Sequence, residues 1–453
     1  MSKTVKLRKG LDIRLVGEAD KVTADLAMPK TVSIKPTDFH GLVPKMAVKP
    51  GDKVQAGSVI FFDKYNDAVK YVSPVSGEIA EIVRGEKRRI LEVRINADAN
   101  TEYVQGSPVA PASADAESVK QTMLSAGLWP FITQRPLGVV ANPEAAPKAI
   151  FISGFDSAPL APDYDFILHG QDEAFQAGVD ALAKLTTGKV YLGLNAKVKA
   201  DAALENAKNV VVNRFEGKHP AGNVGTQIHH IDPINKGEFV FTVNVQDVVI
   251  IGKYFLTGKF DATKLVAYTG SEATNRKYYK TVIGANVADL VKNNVAGDNV
   301  RVVSGNALTG TSIGAEGCLS YYDNQITILP EGDQYKFFLT KGWLGPGFDK
   351  FSASKLFPTW LNSSKKYTLD TNLNGEERGF VVTGEMERVF PFDILPMQLI
   401  KACITDDIDG MENLGIYEVV PEDFALCEYV CTSKVEIQEK VRQGLDLIQK
   451  ECM

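Results

Sequence analysis

Three of the five histidines, His219, His229 and His230, lie in residues 213–252, beside Gly217, Gly222, Gly225 and Pro220. Glycines next to ring side chains point to backbone held close to something else. With Asp232 these histidines offer ligands for a metal. Against zinc, His229 and His230 are adjacent and in an extended segment would face opposite ways, so no metal site is assigned. Two readings remain: a Gly-rich connection whose histidines bond to backbone or stack on a neighbour, and a surface for a ligand or partner. The second group with chemistry is Cys427 and Cys431, a C-x3-C. A four-iron cluster needs two more thiolates upstream at two-residue gaps, and those places hold Phe424 and Pro421. On a helix the two cysteines share a face, where they serve as small apolar packing. A redox disulfide would suit C-x-x-C better. No catalytic residue is assigned.

The elements that would position these residues read as several domains. Residues 1–100 form a small β domain, in which Lys49-Pro50-Gly51-Asp52 and Gln55-Ala56-Gly57 make tight turns between short strands. Residues 96–114, rich in Ala, Pro, Ser and Asn, read as a linker. An α/β domain at 117–255 follows. Its strand expectations are residues 149–153, 166–168, 190–194 and 210–212, with helices at 172–185 and 202–207. Residues 239–251 alternate imperfectly and read as two short core strands broken near Gln246 and Asp247. No G-x-G-x-x-G follows a strand and no Walker loop occurs, which argues against direct NADH binding. Residues 260–332 read as a small α+β module, with Asn286 capping a short helix. A strap rich in glycine and aromatics at 333–380 carries Trp343, Phe348 and Trp360, the kind of side chains an interface recruits. Residues 381–453 turn helical. There Pro421 suits a first turn, and residues 433–436 offer a capping box for a helix presenting Ile437, Val441, Leu445 and Ile448.

Composition sets the bounds. The chain has 453 residues, a net charge of -6 and 44 % apolar residues, which indicates a packed, multidomain globular protein with no support for a DNA or RNA partner. Five cysteines are too few, and odd in number, for a disulfide framework, so a reducing compartment is expected. The N-terminus lacks an apolar signal core, and no uncharged run of 18 residues is present, so neither export nor a membrane span is expected.

Several long words resemble one known family. They are His40-Gly41-Leu42-Val43-Pro44-Lys45, the stretch Lys218-His219-Pro220-Ala221-Gly222-Asn223-Val224-Gly225-Thr226 with Ile228-His229, and Gln246-Asp247-Val248. Gly188-Lys189-Val190-Tyr191 and Leu426-Cys427-Glu428-Tyr429-Val430-Cys431 add to them. Over nearly its whole length the chain is similar to the A subunits of the sodium-translocating NADH:quinone oxidoreductases, bacterial respiratory sodium pumps. More distantly it resembles the C subunit of Rnf-type complexes and the flavin subunit of respiratory complex I.

The resemblance implies a biotinyl- or lipoyl-like sandwich without a carrier lysine, since Tyr65 to Ala68 at the hairpin tip contain none. It further implies a Rossmann-like open sheet, a small SLBB- or ubiquitin-like module, and a helical domain that has lost its iron–sulfur cluster. At the flavin loop of the relatives this chain reads Ala126-Gly127-Leu128-Trp129-Pro130-Phe131, too bulky for a flavin phosphate. The implied role is a peripheral subunit on the cytoplasmic side of the bacterial inner membrane, in a six-subunit translocase that oxidises NADH, reduces ubiquinone or another quinone, and moves sodium. FAD, FMN, riboflavin and iron centres would belong to partners, among them an integral-membrane B subunit, with no cofactor held firmly by this chain. The alternative is direct quinone binding, with an apolar slot and a donor supplied by Phe215, His219, His229 and His230. An independent soluble dehydrogenase is disfavoured by the missing nucleotide fingerprint.

Overall fold

The computed structural model describes residues 3–342 and 344–453. Trp343, one of the expected strap aromatics, lies outside the described residues. Short strands divided by tight turns build an N-terminal sandwich. Thr31–Ile34, Ile90–Ala97, Gly77–Arg84 and Lys53–Val54 make one sheet, and Pro44–Met46, Val59–Asp63 and Lys70–Val72 the other. Inward positions such as Val32, Ile60, Ile79, Val93 and Ile95 are fully buried, as alternation on a two-layer core requires.

The opening residues do not belong to this sandwich, a departure from the expected span of 1–100. Thr4–Lys6 pairs parallel with Val211–Glu216 in a second sheet, and Thr23–Asp25 pairs parallel with Tyr278–Val282 in a third. Three-residue edge strands carry no periodicity of their own, so their placement is set by the open sheet edges that receive them.

Across the second sheet the order is Thr4–Lys6, Val211–Glu216, Lys189–Asn195, Ala149–Ser153, Val240–Asn244, Ile132–Arg135 and Val139–Val140. The first five run parallel and the last two close the edge antiparallel. Continuous apolar runs such as 190–192 suit strands covered on both faces. From Ala149–Ser153 the chain steps outward to one side, then returns to lay Val240–Asn244 on the other. The topological switch therefore lies between the carboxyl ends of those two strands, where such sheets bind ligands.

Two strand expectations are corrected here. Residues 166–168 belong to the helix Tyr164–Leu168, whose first turn is capped by Asp163 accepting from the Phe166 amide. Residues 239–251 are one strand followed by a helix, Val245–Thr257, capped by Asn244 accepting from the Gln246 amide and stopped by Gly258 at φ 70°. That helix is buried on nearly every side, so it shows no polar stripe to betray its period.

The third sheet runs Thr311–Ser312, Val300–Ser304, Gln325–Pro330, Thr263–Thr269, Tyr278–Val282 and Thr23–Asp25. Asn286 Oδ1 accepts from the Ala288 amide beside the short helix Ala288–Lys292. Beyond residue 384 the chain forms helices including Pro396–Ile404, Ala425–Val430 and Ile437–Cys452, around a core in which Ile437, Val441, Leu445 and Ile448 are fully buried. The expected capping box before the last helix is not made: Ser433 Oγ instead donates to the Gly379 carbonyl at 3.0 Å. Among the described residues no helix is long and apolar enough to cross a membrane.

Candidate functional site

The strand Val211–Glu216 delivers the histidine loop at a carboxyl end of the second sheet, with Phe215 buried beneath it. His219 is fixed from all sides. Its backbone N–H donates to Asp12 Oδ1 at 2.9 Å, and its carbonyl accepts from the Leu11 amide. Its Nδ1 lies 3.0 Å from Ser157 Oγ. Ser157 Oγ also accepts from the Gly222 amide, and its proton is available to Nδ1 of a neutral ring. Burial pushes the ring down to about 4, in keeping with that neutral form.

His229 and His230 sit on the helix Val224–Ile231, which corrects the expectation of an extended segment. Neighbours on a helix are about 100° apart, so the two side chains do not oppose each other, and their rings meet edge to face with centroids 5.1 Å apart. His230 Nδ1 donates to the Thr226 carbonyl one turn back at 2.9 Å. His229 reaches the C-terminal helices instead: Nδ1 contacts Glu418 Oε2 at 2.8 Å, and the ring lies 4.8 Å from Phe392. Its Nε2 faces both the Asp393 amide at 3.3 Å and the Asp393 carboxylate at 3.2 Å. A neutral ring accepts from the first, and an imidazolium donates to the second.

The three histidines thus have separate partners, and none of them shares a hydrogen bond with another. Among the described residues no group of three or more His, Cys, Asp or Glu side chains could hold a metal ion.

The switch-point crevice is filled by the protein itself. Tyr164 is buried there, its hydroxyl accepting from Asn244 Nδ2 at 3.3 Å and from Asn324 Nδ2 of the third module at 3.4 Å. Gln227 Nε2 donates to Ser153 Oγ at 2.8 Å, and its Oε1 lies where a Cβ on Gly193 would be, at 2.0 Å. Beside them Arg135 Nη1 donates to Asp423 Oδ2 at 2.8 Å, with both side chains buried, and Arg135 also pairs with Glu422. Gly225 makes room for that pair, since a Cβ there would meet Asp423 Oδ1 at 2.2 Å and Arg135 Nη1 at 2.4 Å. Gly217 and Gly225 therefore make room for side chains from elsewhere, Leu7 in the first case, whereas Gly222 lies against the backbone of Asp156 and Ser157. Below the crevice, Lys264 Nζ lies 2.8 Å from Asp247 Oδ1, and neither side chain has exposed surface. Burial pushes the Asp247 carboxyl up, and Lys264 opposes it.

The implied flavin and cluster positions do not fit those groups. Gly127, at φ 69°, is backed by Val72, whose Cγ1 lies 2.3 Å from the place of an added Cβ. Leu128 and Trp129 are buried, and Trp129 Nε1 donates to the Ala141 carbonyl at 2.7 Å. A phosphate finds no row of free amides in such a turn. In the tail, Cys427 and Cys431 are buried among apolar residues, and burial pushes the Cys427 thiol well up. Phe424, at one of the missing ligand places, stacks on Phe390 at 4.8 Å.

Two of the hollows at the described surface are lined by neither Phe215, His219, His229 nor His230. One, about 290 Å³, lies between residues 10–14, the strap and Arg388, with Lys218 on its wall. The other, about 600 Å³, lies between His40–Pro44, Arg84 to Ile90 and the last helix, where His40 Nε2 contacts Asp446 Oδ1 at 2.7 Å.

Residues 5–98 match the model described as "NqrA N-terminal barrel-sandwich hybrid domain", residues 114–260 the "NqrA second alpha/beta domain", and residues 265–314 the "NQRA C-terminal domain". Among curated relatives, the A subunit of the Na(+)-translocating NADH-quinone reductase of Shewanella frigidimarina is 37 % identical over 99 % of this chain and 100 % of its own. The protein of the same name from Marinomonas sp. is 36 % identical over 98 % of this chain and 99 % of its own. That from Neisseria meningitidis serogroup A is 36 % identical over 99 % and 100 %. A solved NAD+-reducing [NiFe]-hydrogenase chain overlaps with a TM-score of 0.36 and 14 % identity, over 77 % of this chain and 67 % of that one, too loosely to bear on function.

Proposed function

The chain belongs to the family of A subunits of Na(+)-translocating NADH-quinone reductases, and from that premise we propose that it is a peripheral, structural component of such a complex. On this reading it stands on the cytoplasmic side of the bacterial inner membrane as one of six subunits and rests chiefly on the integral-membrane B subunit. It supports assembly and quinone reduction, while NADH oxidation, the flavins, the iron centres and the sodium path belong to its partners. Residues 117–255 are a Rossmann-like unit that has filled its own crevice, and residues 381–453 a helical domain that has lost its cluster.

The observation that carries the structural role is that filling. Tyr164 and Gln227 occupy the place where an open α/β sheet takes its ligand, and the Arg135–Asp423 pair packs against Gly225 of the helix that carries Gln227. The chain purified alone is expected to be colourless, with no stoichiometric flavin, iron or zinc by visible spectrum and elemental analysis. One equivalent of flavin or iron would overturn the reading.

A second reading places a quinone headgroup near His229 and His230. It is favoured by the Phe392 ring against His229 and by the nearly fully exposed Asp393 beside Nε2. Photo-crosslinking with a quinone analogue separates the two readings. Labelling at His229 in the isolated chain, competed by native quinone, supports the second; labelling confined to a membrane partner refutes it.

A further inference from the structure

Residues 333–370 form one lobe rather than a loose strap. Its neck is closed by Gly332 N–H donating to Thr371 Oγ1 at 2.9 Å and by the Lys336–Asp370 ion pair. Within it, Leu344 N–H returns to the Phe338 carbonyl, Thr359 Oγ1 donates to the Lys350 carbonyl, and Lys365 reaches the Phe348 carbonyl. The base is laced to the body where Tyr367 N–H donates to the Arg14 carbonyl at 2.8 Å.

Two features occur together on the surface of the lobe. It exposes large apolar side chains, including Tyr335, Phe337, Phe348, Leu356, Trp360 and Leu361. Among them stand six lysines against three acids, Asp333, Asp349 and Asp370, in a chain whose net charge is -6. Lys336 and Lys366 are paired with Asp370 and Glu18. Lys341 and Lys355 have no carboxylate partner among the described residues, and Lys355 lies over the Trp360 ring at 5.3 Å. The hollow of about 290 Å³ at the base adds Arg14 and Lys218, also without such a partner, beside the paired Arg388 and Glu385.

We propose that this lobe binds the anionic headgroups of a phospholipid bilayer, with its aromatic and leucine side chains at the headgroup boundary and Lys341, Lys355, Arg14 and Lys218 toward the phosphates. The proposal rests on the peripheral membrane placement above and adds the lipid contact to it. Interleaved lysine decides against a protein partner as the occupant, because lysine is depleted from protein–protein interface cores, whereas lysine with Trp and Phe marks membrane-surface segments. The acidic remainder of the chain is repelled by an anionic surface, so a basic lobe also fixes which side faces it.

The test is flotation of the full chain with phosphatidylcholine vesicles, with and without phosphatidylglycerol. Binding is expected only with the anionic lipid and falls as salt shortens the screening length from about 10 Å at 0.1 M to about 3 Å at 1 M. Lys341→Gln and Lys355→Gln are each expected to weaken binding about five-fold, the loss associated with one basic residue near an anionic surface. Phe348→Ser with Leu356→Ser should weaken it further, with the melting midpoint unchanged because all four positions are exposed. Binding that ignores lipid charge, or is indifferent to these variants, overturns the proposal. So does failure to float while the chain remains with the active complex in washed membranes, a result that leaves the peripheral placement standing. Absence of the chain from membranes that hold the active complex overturns both.

Discussion

Around Tyr164, lysine, arginine, acid and aromatic side chains are enclosed and meet partners from other modules. Lys264 meets Asp247, Arg135 meets Asp423, and Tyr164 takes two asparagine amides. In the lobe at residues 333–370 the same residue types stand in solvent, and Lys341, Phe348 and Leu356 are exposed. The first arrangement fixes how three modules sit against one another, because a buried charge without its partner is costly. The second adds little to folding and leaves its chemistry available to something outside the chain. Composition alone does not separate them; enclosure does.

The contrast breaks most sharply at the junction. Lys264→Met leaves Asp247 buried without its counter-charge and is expected to lower stability by about 3 to 5 kcal/mol in denaturant titration. Combining it with Asp247→Leu should return most of the loss, and a double variant as weak as the single one would show that packing, not charge, holds the junction.

A smaller effect is expected at Asp38, whose carboxyl burial pushes up to about 6, with Lys35 opposing and Asp323 adding to the shift. The folded state then holds a proton that the unfolded chain releases near 3.8, so stability falls as pH rises from about 4 to about 6 and is level above that. Asp38→Asn, which keeps an acceptor for the Tyr321 amide, should add about 1 to 2 kcal/mol at pH 7 and nothing at pH 4. Melting midpoints at the two pH values check it.

Next in size, Cys427→Ala with Cys431→Ala removes two small buried groups, at about 1 to 2 kcal/mol of stability. Quinone reductase turnover of the assembled complex is expected to stay within about threefold, and a loss of turnover in a complex that still assembles would give the thiols a redox role. Least of all, Phe348→Ser or Leu356→Ser in the lobe should move stability by no more than about 0.5 kcal/mol. A loss of 2 kcal/mol at either would mean that the lobe belongs to the core.

Elements with their own periodicity were legible in the sequence. Ile437, Val441, Leu445 and Ile448 recur at helical spacing and are all buried on one helix, and the apolar run 190–192 lies inside a covered strand. The helix Val245–Thr257 was hidden because burial on nearly every side erases the polar stripe that reveals a helix. For His229 and His230 a signal was present, since Asn223 is a good N-cap residue before Val224, but the helix Val224–Ile231 is only eight residues long and its cap bond is not made. The filled crevice was illegible for a different reason. Arg135 and Asp423 are 288 residues apart, and no local pattern announces a pair made at that separation. Asp247 did leave a trace as a lone acid in an apolar run, but it was taken for a break in a strand rather than half of a buried ion pair.

The placement of the first two strands bears on the order in which this chain can be made. Thr4–Lys6 and Thr23–Asp25 are synthesised well before their partners, Val211–Glu216 and Tyr278–Val282. At a synthesis rate of about 5 to 20 residues per second, the leading end waits roughly ten seconds or more for the first of them, while the sandwich from Thr31 onward already has all of its strands. The opening segment thus acts as a late seal, zipped onto the second and third sheets only as each is completed. A nascent chain halted before residue 211 would carry it unpaired and open to protease, and one extended past residue 282 would not.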